Sequence, residues 1–364
     1  LPFLAQSVTK GCFAKVITKA MSLTKFLANI PPTILARVSG LSMDAKSDNC
    51  RREINNLLQQ TVLIGGKRLR PLLTYLMHEF LNNNSPLKNG GTVDYTTCDL
   101  LARSIEQVHA ASLSHDDVVD NATTRRGKPS INVVASNKKA VLAGDYLLAN
   151  VINELCRLNR PDLVSEMASV IKDLAEGEWM QLDAAQNRSY SREILREMAI
   201  KKTASVMTWC GVAPAMVGNH SPVIINYARQ FGLKLGLAFQ LMDDVLDFQG
   251  PGLKDQLLDL ENGQVNAVLY EWLELHPEMF ARYKKGDAIQ DLWQERAFND
   301  SLHQGLSNAL VIVKTEAENY LQEARDLLYL MQKELGQNAA ENSRKNSSLQ
   351  ALLFVVDYLG QRNI

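Results

Sequence analysis

From about Cys50 to Leu359 the chain is a succession of apolar-periodic segments of helical length, and the two-residue alternation of a half-buried strand takes hold nowhere among them. This predicts an all-α fold. The expected helices cover residues 50–62, 69–81, 96–121, 138–157, 162–186, 191–217, 222–249, 264–274, 303–335 and 349–359, with breaks rich in Asn, Gly, Pro and Ser between them. Asn82 to Gly91 and Gly336 to Ser348 read as surface loops, and the absence of a fixed repeat excludes a solenoid. Segments 138–157 and 222–249 are too densely apolar for polar-faced surface helices, which predicts both at the centre of one large bundle. A chain of 364 residues, 46% hydrophobic, can fill such a core.

Basic and acidic side chains balance at 39 against 40, so there is no global drive toward nucleic acid or an anionic membrane, and any anionic ligand must be held locally. Five scattered cysteines without a CxxC spacing argue against a disulfide framework or zinc site and for a reducing compartment. Apolar runs such as Val141 to Leu148 are cut by a charge, here Asp145, well short of the roughly 20 residues a bilayer span needs, so a soluble protein is expected. Residues 1–43 stand apart from the all-α domain expected over 44–364: they hold no acidic residue but carry Lys10, Lys15, Lys19, Lys25 and Arg37. They read either as an organellar transit peptide, which would send the protein to the mitochondrial matrix, or as a basic first helix starting near Met21 and broken at Pro31 and Pro32. In a bacterial chain the location would be the cytoplasm.

Two acidic clusters lie inside otherwise apolar helices. Asp116 and Asp120 are four residues apart and share a helix face, with Asp117 beside them; Asp243 and Asp247 repeat the spacing around Asp244. Like charges at that spacing repel, and burying each uncompensated costs several kcal/mol, so a hard divalent cation is the natural compensation. All-oxygen ligands with room for water and phosphate oxygens suit magnesium. One such cluster alone is more often an exposed helix face; two matching ones inside apolar helices point to a site. Cations accompany them. Gly65-Gly66-Lys67-Arg68-Leu69-Arg70 and Arg125-Arg126-Gly127-Lys128 offer forked guanidinium and point-like ammonium donors for phosphate, and Lys202-Thr203 and Lys254 can add to them.

Together GGKRLRP, HDDVVD followed by TTRRG, Lys-Thr and FQLMDDVLDF resemble the trans-isoprenyl diphosphate synthases, the polyprenyl synthase family, in the family's order from roughly Cys50 to Ala267. The resemblance implies a helical bundle with a central cavity, a homodimer, and head-to-tail condensation of isopentenyl diphosphate with an allylic diphosphate. It implies three magnesium ions, with Asp116, Asp117, Asp120, Asp243, Asp244 and Asp247 as the candidate metal ligands. Lys67, Arg70, Arg126 and His109 would hold isopentenyl diphosphate; Arg125, Lys202 and Lys254 would hold the allylic diphosphate; Thr203 and Gln240 would face the allylic cation. Glu176, Glu178 and Gln181 match a further family element and are expected to stand behind the site. Gln264, Asn266 and Val268 depart from the family's usual lysine, threonine and proline.

Ala111 and Ser112, with Val108 one turn earlier, precede Asp116 where an aromatic residue closes the cavity in farnesyl synthases of the family. Both are small, which implies a product longer than farnesyl, from geranylgeranyl up to octaprenyl or decaprenyl. A class I terpene cyclase would need neither the Gly-Gly-Lys-Arg cluster nor a second aspartate motif. A non-catalytic subunit of a heteromeric synthase would usually have lost one motif. Beyond its diphosphate substrates the protein is expected to bind no nucleic acid and to touch membranes at most peripherally.

Overall fold

The structure, a computed structural model, describes residues 26–41, 49–82, 95–249, 258–261, 263–295, 300–336 and 347–361. Its helices are α1 (Pro32–Gly40), α2 (Asn49–Gln60), α3 (Leu69–Asn82), α4 (Thr96–Val119), α5 (Ile131–Val134), α6 (Asn137–Cys156), α7 (Pro161–Asn187) and α8 (Arg192–Ala199). After a π-helical turn over Ile200–Ala204 come α9 (Ser205–Val217), α10 (Pro222–Gln249), α11 (Leu258–Glu261), α12 (Ala267–Glu274), α13 (Pro277–Lys285), α14 (Ile289–Glu295), α15 (Asp300–Glu334) and α16 (Ser347–Gln361). The local chemistry of the starts is plain. Pro32, Pro161 and Pro277 occupy first-turn positions that need no N–H, while Ser136, Ser191 and Asn266 accept from the orphan N–H groups of Lys139, Ile194 and Leu269.

As expected, α10 is central. It packs between α9 and α15 and buries Ile224, Ala228, Phe231, Leu235 and Ala238. The main core continues through α3, α4, α7 and α16; a second core gathers Trp272, Phe280, Leu292 and Trp293 from α12, α13 and α14.

Four features differ from the sequence reading. Helix α6 is not central: it buries Ala140, Ala143, Leu147, Val151 and Leu155 but leaves Leu142 64% exposed, so its apolar density serves a face that the described residues do not cover. The segment expected as one helix over 191–217 is interrupted by the π turn, whose extra residue re-aims the side chains that follow. Helices α13 and α14 were not expected, because their charged surfaces hide a short apolar stripe. A two-residue hairpin, Thr124–Arg125 against Lys128–Pro129, turns at Arg126 and Gly127, both with positive φ as such a tight turn requires. At the other end the chain turns over residues 28–30 and Pro32 opens α1, while the basic stretch before Phe26 lies outside the described residues. So does most of both expected loops; Ser347 and Ser348 belong to α16.

Candidate active site

A cavity of about 740 Å³ opens among α4, α7, the π turn, α10 and the chain before α12. Four helices deliver its polar wall. Helix α4 contributes His109, Ser112 and Asp116, with Asp120 at its C-terminal cap; α7 contributes Glu178 and Gln181; the π turn contributes Lys202 and Thr203; α10 contributes Gln240, Asp243 and Asp244. Arg70 enters from α3. The two acidic pairs, 123 and more residues apart in sequence, thus face one space because α4 and α10 both end their apolar runs at its rim.

The site holds more negative charge than its own cations balance. Burial, then the neighbouring Glu178 carboxylate, pushes the Asp116 carboxyl up to about 7; Asp120 is raised by the same two causes. Burial and the charge of Asp259 push Asp244 up to about 8. Such a donor set, all oxygen and starved of counter-charge, fits a hard divalent cation. Among the described residues no three His, Cys, Asp or Glu side chains form a metal cage by themselves. Sites completed by substrate oxygens and water have that character.

A pH dependence follows. Asp116 binds its proton more tightly in the folded chain than in the unfolded one, so between pH 4 and 7 the folded state holds more protons and stability falls as pH rises. In metal-free buffer, Asp116→Asn is therefore expected to gain melting temperature relative to wild type at pH 7.5 and to lose that advantage at pH 5; thermal melts at the two pH values check it.

The remaining members of the two clusters have other partners. Asp117, expected beside Asp116 as a ligand, is wholly buried away from the cavity, and Arg125 grips its Oδ1 through Nε at 2.7 Å and Nη2 at 2.6 Å. Arg125, expected on the allylic diphosphate, here ties the hairpin to α4 through Asp117. Asp244 lines the cavity, yet it accepts from Gln240 Nε2 at 2.9 Å and from the Ala267 N–H at 3.0 Å, which ties α12 to α10. Asp247 is half-buried and does not line the cavity.

The cationic residues divide likewise. Arg70 reaches the cavity, and its buried Nε has no hydrogen-bond partner. Arg126 lies outside the cavity lining: its Nη1 donates to the Ile64 carbonyl at 2.9 Å, and its guanidinium covers the glycine pair. A Cβ on Gly66 would stand 3.0 Å from that guanidinium, and both glycines have positive φ, so the pair admits an arginine side chain against the backbone. Lys67 is exposed, also outside the lining, and donates to the Tyr358 hydroxyl at 3.0 Å. Lys254 lies outside the described residues. His109 lines the cavity, and burial together with Arg70, Arg126 and Arg125 holds its imidazole well below the usual value, hence neutral at pH 7. Lys202 contacts Glu178 and Gln181, and Thr203 donates to Gln240 Oε1 at 2.6 Å.

Three lining residues were undervalued from sequence. Glu178 and Gln181 stand in the wall itself, because Gly177 lets α7 approach the π turn: a Cβ there would lie 2.6 Å from Lys202 Cγ. Asp259 also faces the cavity and accepts from Asn266 Nδ2 at 3.0 Å. Asn266 therefore caps α12 with its oxygen while donating with its nitrogen, two tasks a hydroxyl could share.

The profile of the polyprenyl synthetase family matches residues 51–295. The chain belongs to that family. Relatives include solanesyl diphosphate synthase 3 (chloroplastic/mitochondrial) of Arabidopsis thaliana, 35% identical over 226 residues covering 59% of this chain and 54% of that protein. Decaprenyl-diphosphate synthase subunit 1 of Schizosaccharomyces pombe is 33% identical over 297 residues, covering 72% and 75% of the two chains. The chain spans about half the length of the first curated relatives it matches. Among solved structures, a polyprenyl synthase of Caulobacter crescentus complexed with calcium and isoprenyl diphosphate superposes with a TM-score of 0.75 at 26% identity, over 95% of this chain and 99% of the other. The family members share this all-α fold. Among the described residues no helix is long and apolar enough to cross a membrane.

Proposed function

We propose that this chain is a prenyltransferase that condenses isopentenyl diphosphate with an allylic diphosphate into a trans-polyprenyl diphosphate longer than farnesyl. The observation that carries the reading is the convergence of Asp116, Asp120 and Asp243 with Lys202 and Arg70 on one cavity that is also lined by the apolar Leu113, Leu174 and Phe239. Relatives named for solanesyl and decaprenyl products support a long chain.

Asp116, Asp120 and Asp243 would hold the divalent cations, which we take to be three magnesium ions, in keeping with the calcium in the Caulobacter protein. When bound, they supply neutralisation of the charge that develops on the departing diphosphate. The chain's own residues do the rest. Lys202 supplies a point charge to the allylic diphosphate. Arg70 aims its guanidinium at the isopentenyl diphosphate; Lys67 and Arg126 flank that side and need only leave the Tyr358 hydroxyl and the Ile64 carbonyl to join it. Neutral His109 can donate one hydrogen bond there without adding charge. Thr203 and Gln240 oxygens put negative dipoles beside the position where the allylic cation forms, and the apolar lining side chains exclude the water that would quench it. The isopentenyl double bond attacks that cation as the allylic diphosphate leaves, and the released diphosphate takes the proton from the condensed cation, which restores an allylic double bond.

Of the positions expected to set product length, Ser112 lines the cavity while Ala111 and Val108 are fully buried behind it. Ser112→Phe is expected to shorten the product by at least one isoprene unit, read by chromatography of the dephosphorylated alcohols; an unchanged product would move the floor elsewhere. The exposed apolar face of α6 and α7, with Leu142 and Trp179, suits the homodimer. Relatives named as mitochondrial support a mitochondrial location.

The reading is tested by calorimetry with a farnesyl thiodiphosphate, whose carbon–sulfur bond resists ionisation. Magnesium-dependent binding is the expected result; binding that is the same in EDTA would contradict it.

A further inference from the structure

The cation at the centre of the acidic wall is already occupied. Lys202 contacts the Glu178 carboxylate and, at 2.8 Å, Gln181 Oε1, two groups presented by one face of α7. The pair is sheltered: the Glu178 side chain is 16% and the Lys202 side chain 27% exposed. It is also built in, since Gly177 removes the Cβ that would hold α7 away from the π turn. Glu178 in turn faces Asp116 and Asp120 and adds to their negative charge. The Lys202 ammonium thus acts on three carboxylates, and the Arg125 guanidinium, the other cation near Asp116 and Asp120, is held by Asp117.

We propose that Glu178 is a positioning residue that keeps Lys202 engaged in the ligand-free site and yields it only when a diphosphate arrives together with divalent cations. The inference rests on the function proposed above. A diphosphate entering alone must take Lys202 from Glu178 and then sit against three unneutralised carboxylates. With divalent cations at Asp116 and Asp120, Glu178 has another positive charge to face, and Lys202 turns to the diphosphate without stranding a buried anion. The exchange makes the site bind substrate and cations together, and it withholds the lysine from phosphate compounds that come without metal.

The test is calorimetry of inorganic pyrophosphate, in EDTA and in magnesium, on the full chain and on Glu178→Gln, Lys202→Gln and the double variant. In EDTA, Glu178→Gln is expected to bind on the order of tenfold more tightly than wild type, the worth of one charge-assisted hydrogen bond. The gain should vanish in the Lys202→Gln background, and the enhancement produced by magnesium should shrink by a similar factor. A purely structural role for Glu178 moves the affinity the other way. Metal-free binding of Glu178→Gln that equals or falls below wild type overturns the proposal, as does a gain that persists without Lys202. Should Glu178→Gln not fold, Gln181→Leu removes the second contact and is expected to act in the same direction. A wild type that binds pyrophosphate neither with nor without magnesium would sink the proposed function itself; magnesium-dependent binding with an unchanged Glu178→Gln removes only the role of Glu178.

Discussion

Asp243→Ala is expected to lower isopentenyl incorporation by about 10²- to 10³-fold, the usual consequence of deleting one preorganised electrostatic group from a site where charge develops. The loss should fall on turnover. Asp243 lines the cavity at the end of α10, half-buried, while the packing of that helix is carried by Phe231, Leu235, Ala238 and Met242 on its core side. The metal-free variant should therefore still melt cooperatively, and stabilisation by added magnesium with pyrophosphate should shrink. Steady-state incorporation of labelled isopentenyl diphosphate, alongside thermal melts, checks both parts. A variant that keeps its activity would remove the second aspartate motif from the account.

The reverse pattern is expected at Asp117. Its buried carboxylate is matched to Arg125, whose side chain is 25% exposed, and removing one partner of a sheltered pair leaves an uncompensated charge. Asp117→Ala should cost about 3 kcal/mol, a fall in melting temperature of roughly 4 °C for a chain of this length. The hairpin carrying Arg125 and Arg126 would lose its anchor to α4, so some activity is lost through misplacement of Arg126. Metal-free melts distinguish the assignments. Removing a buried ligand such as Asp116 is expected to raise the metal-free melting temperature at neutral pH, whereas removing the partner of Arg125 lowers it.

The contrast between Asp116 and Asp117 shows where sequence reading reached its limit. Helical spacing put Asp116 and Asp120 on one face, and they share the cavity. It placed Asp117 only beside them. That Asp117 turns inward depends on Arg125, brought back by a hairpin too short for any alternation to reveal. The period of α10 correctly announced a central helix, because its apolar residues surround most of its circumference. The same density in α6 was misleading: Leu142 and Val141 are as apolar as core residues yet stay 64% and 39% exposed among the described residues. Glu178 was visible as part of Glu-Gly-Glu, but its entry into the wall depends on the close approach at Gly177 and on the π turn that rotates Lys202 toward it. A π turn has no signature in apolar periodicity. Asn266, a departure from the family's usual threonine, is engaged through both ends of its amide, accepting from the Leu269 N–H as a helix cap and donating to Asp259.

The account stands most directly on turnover. Purified protein is incubated with labelled isopentenyl diphosphate and farnesyl or geranylgeranyl diphosphate, in magnesium and in EDTA, and the dephosphorylated products are sized by chromatography. The account predicts a magnesium-dependent ladder that ends at one prenyl alcohol longer than farnesol. No incorporation from either primer in magnesium, by a protein that melts cooperatively, would contradict it.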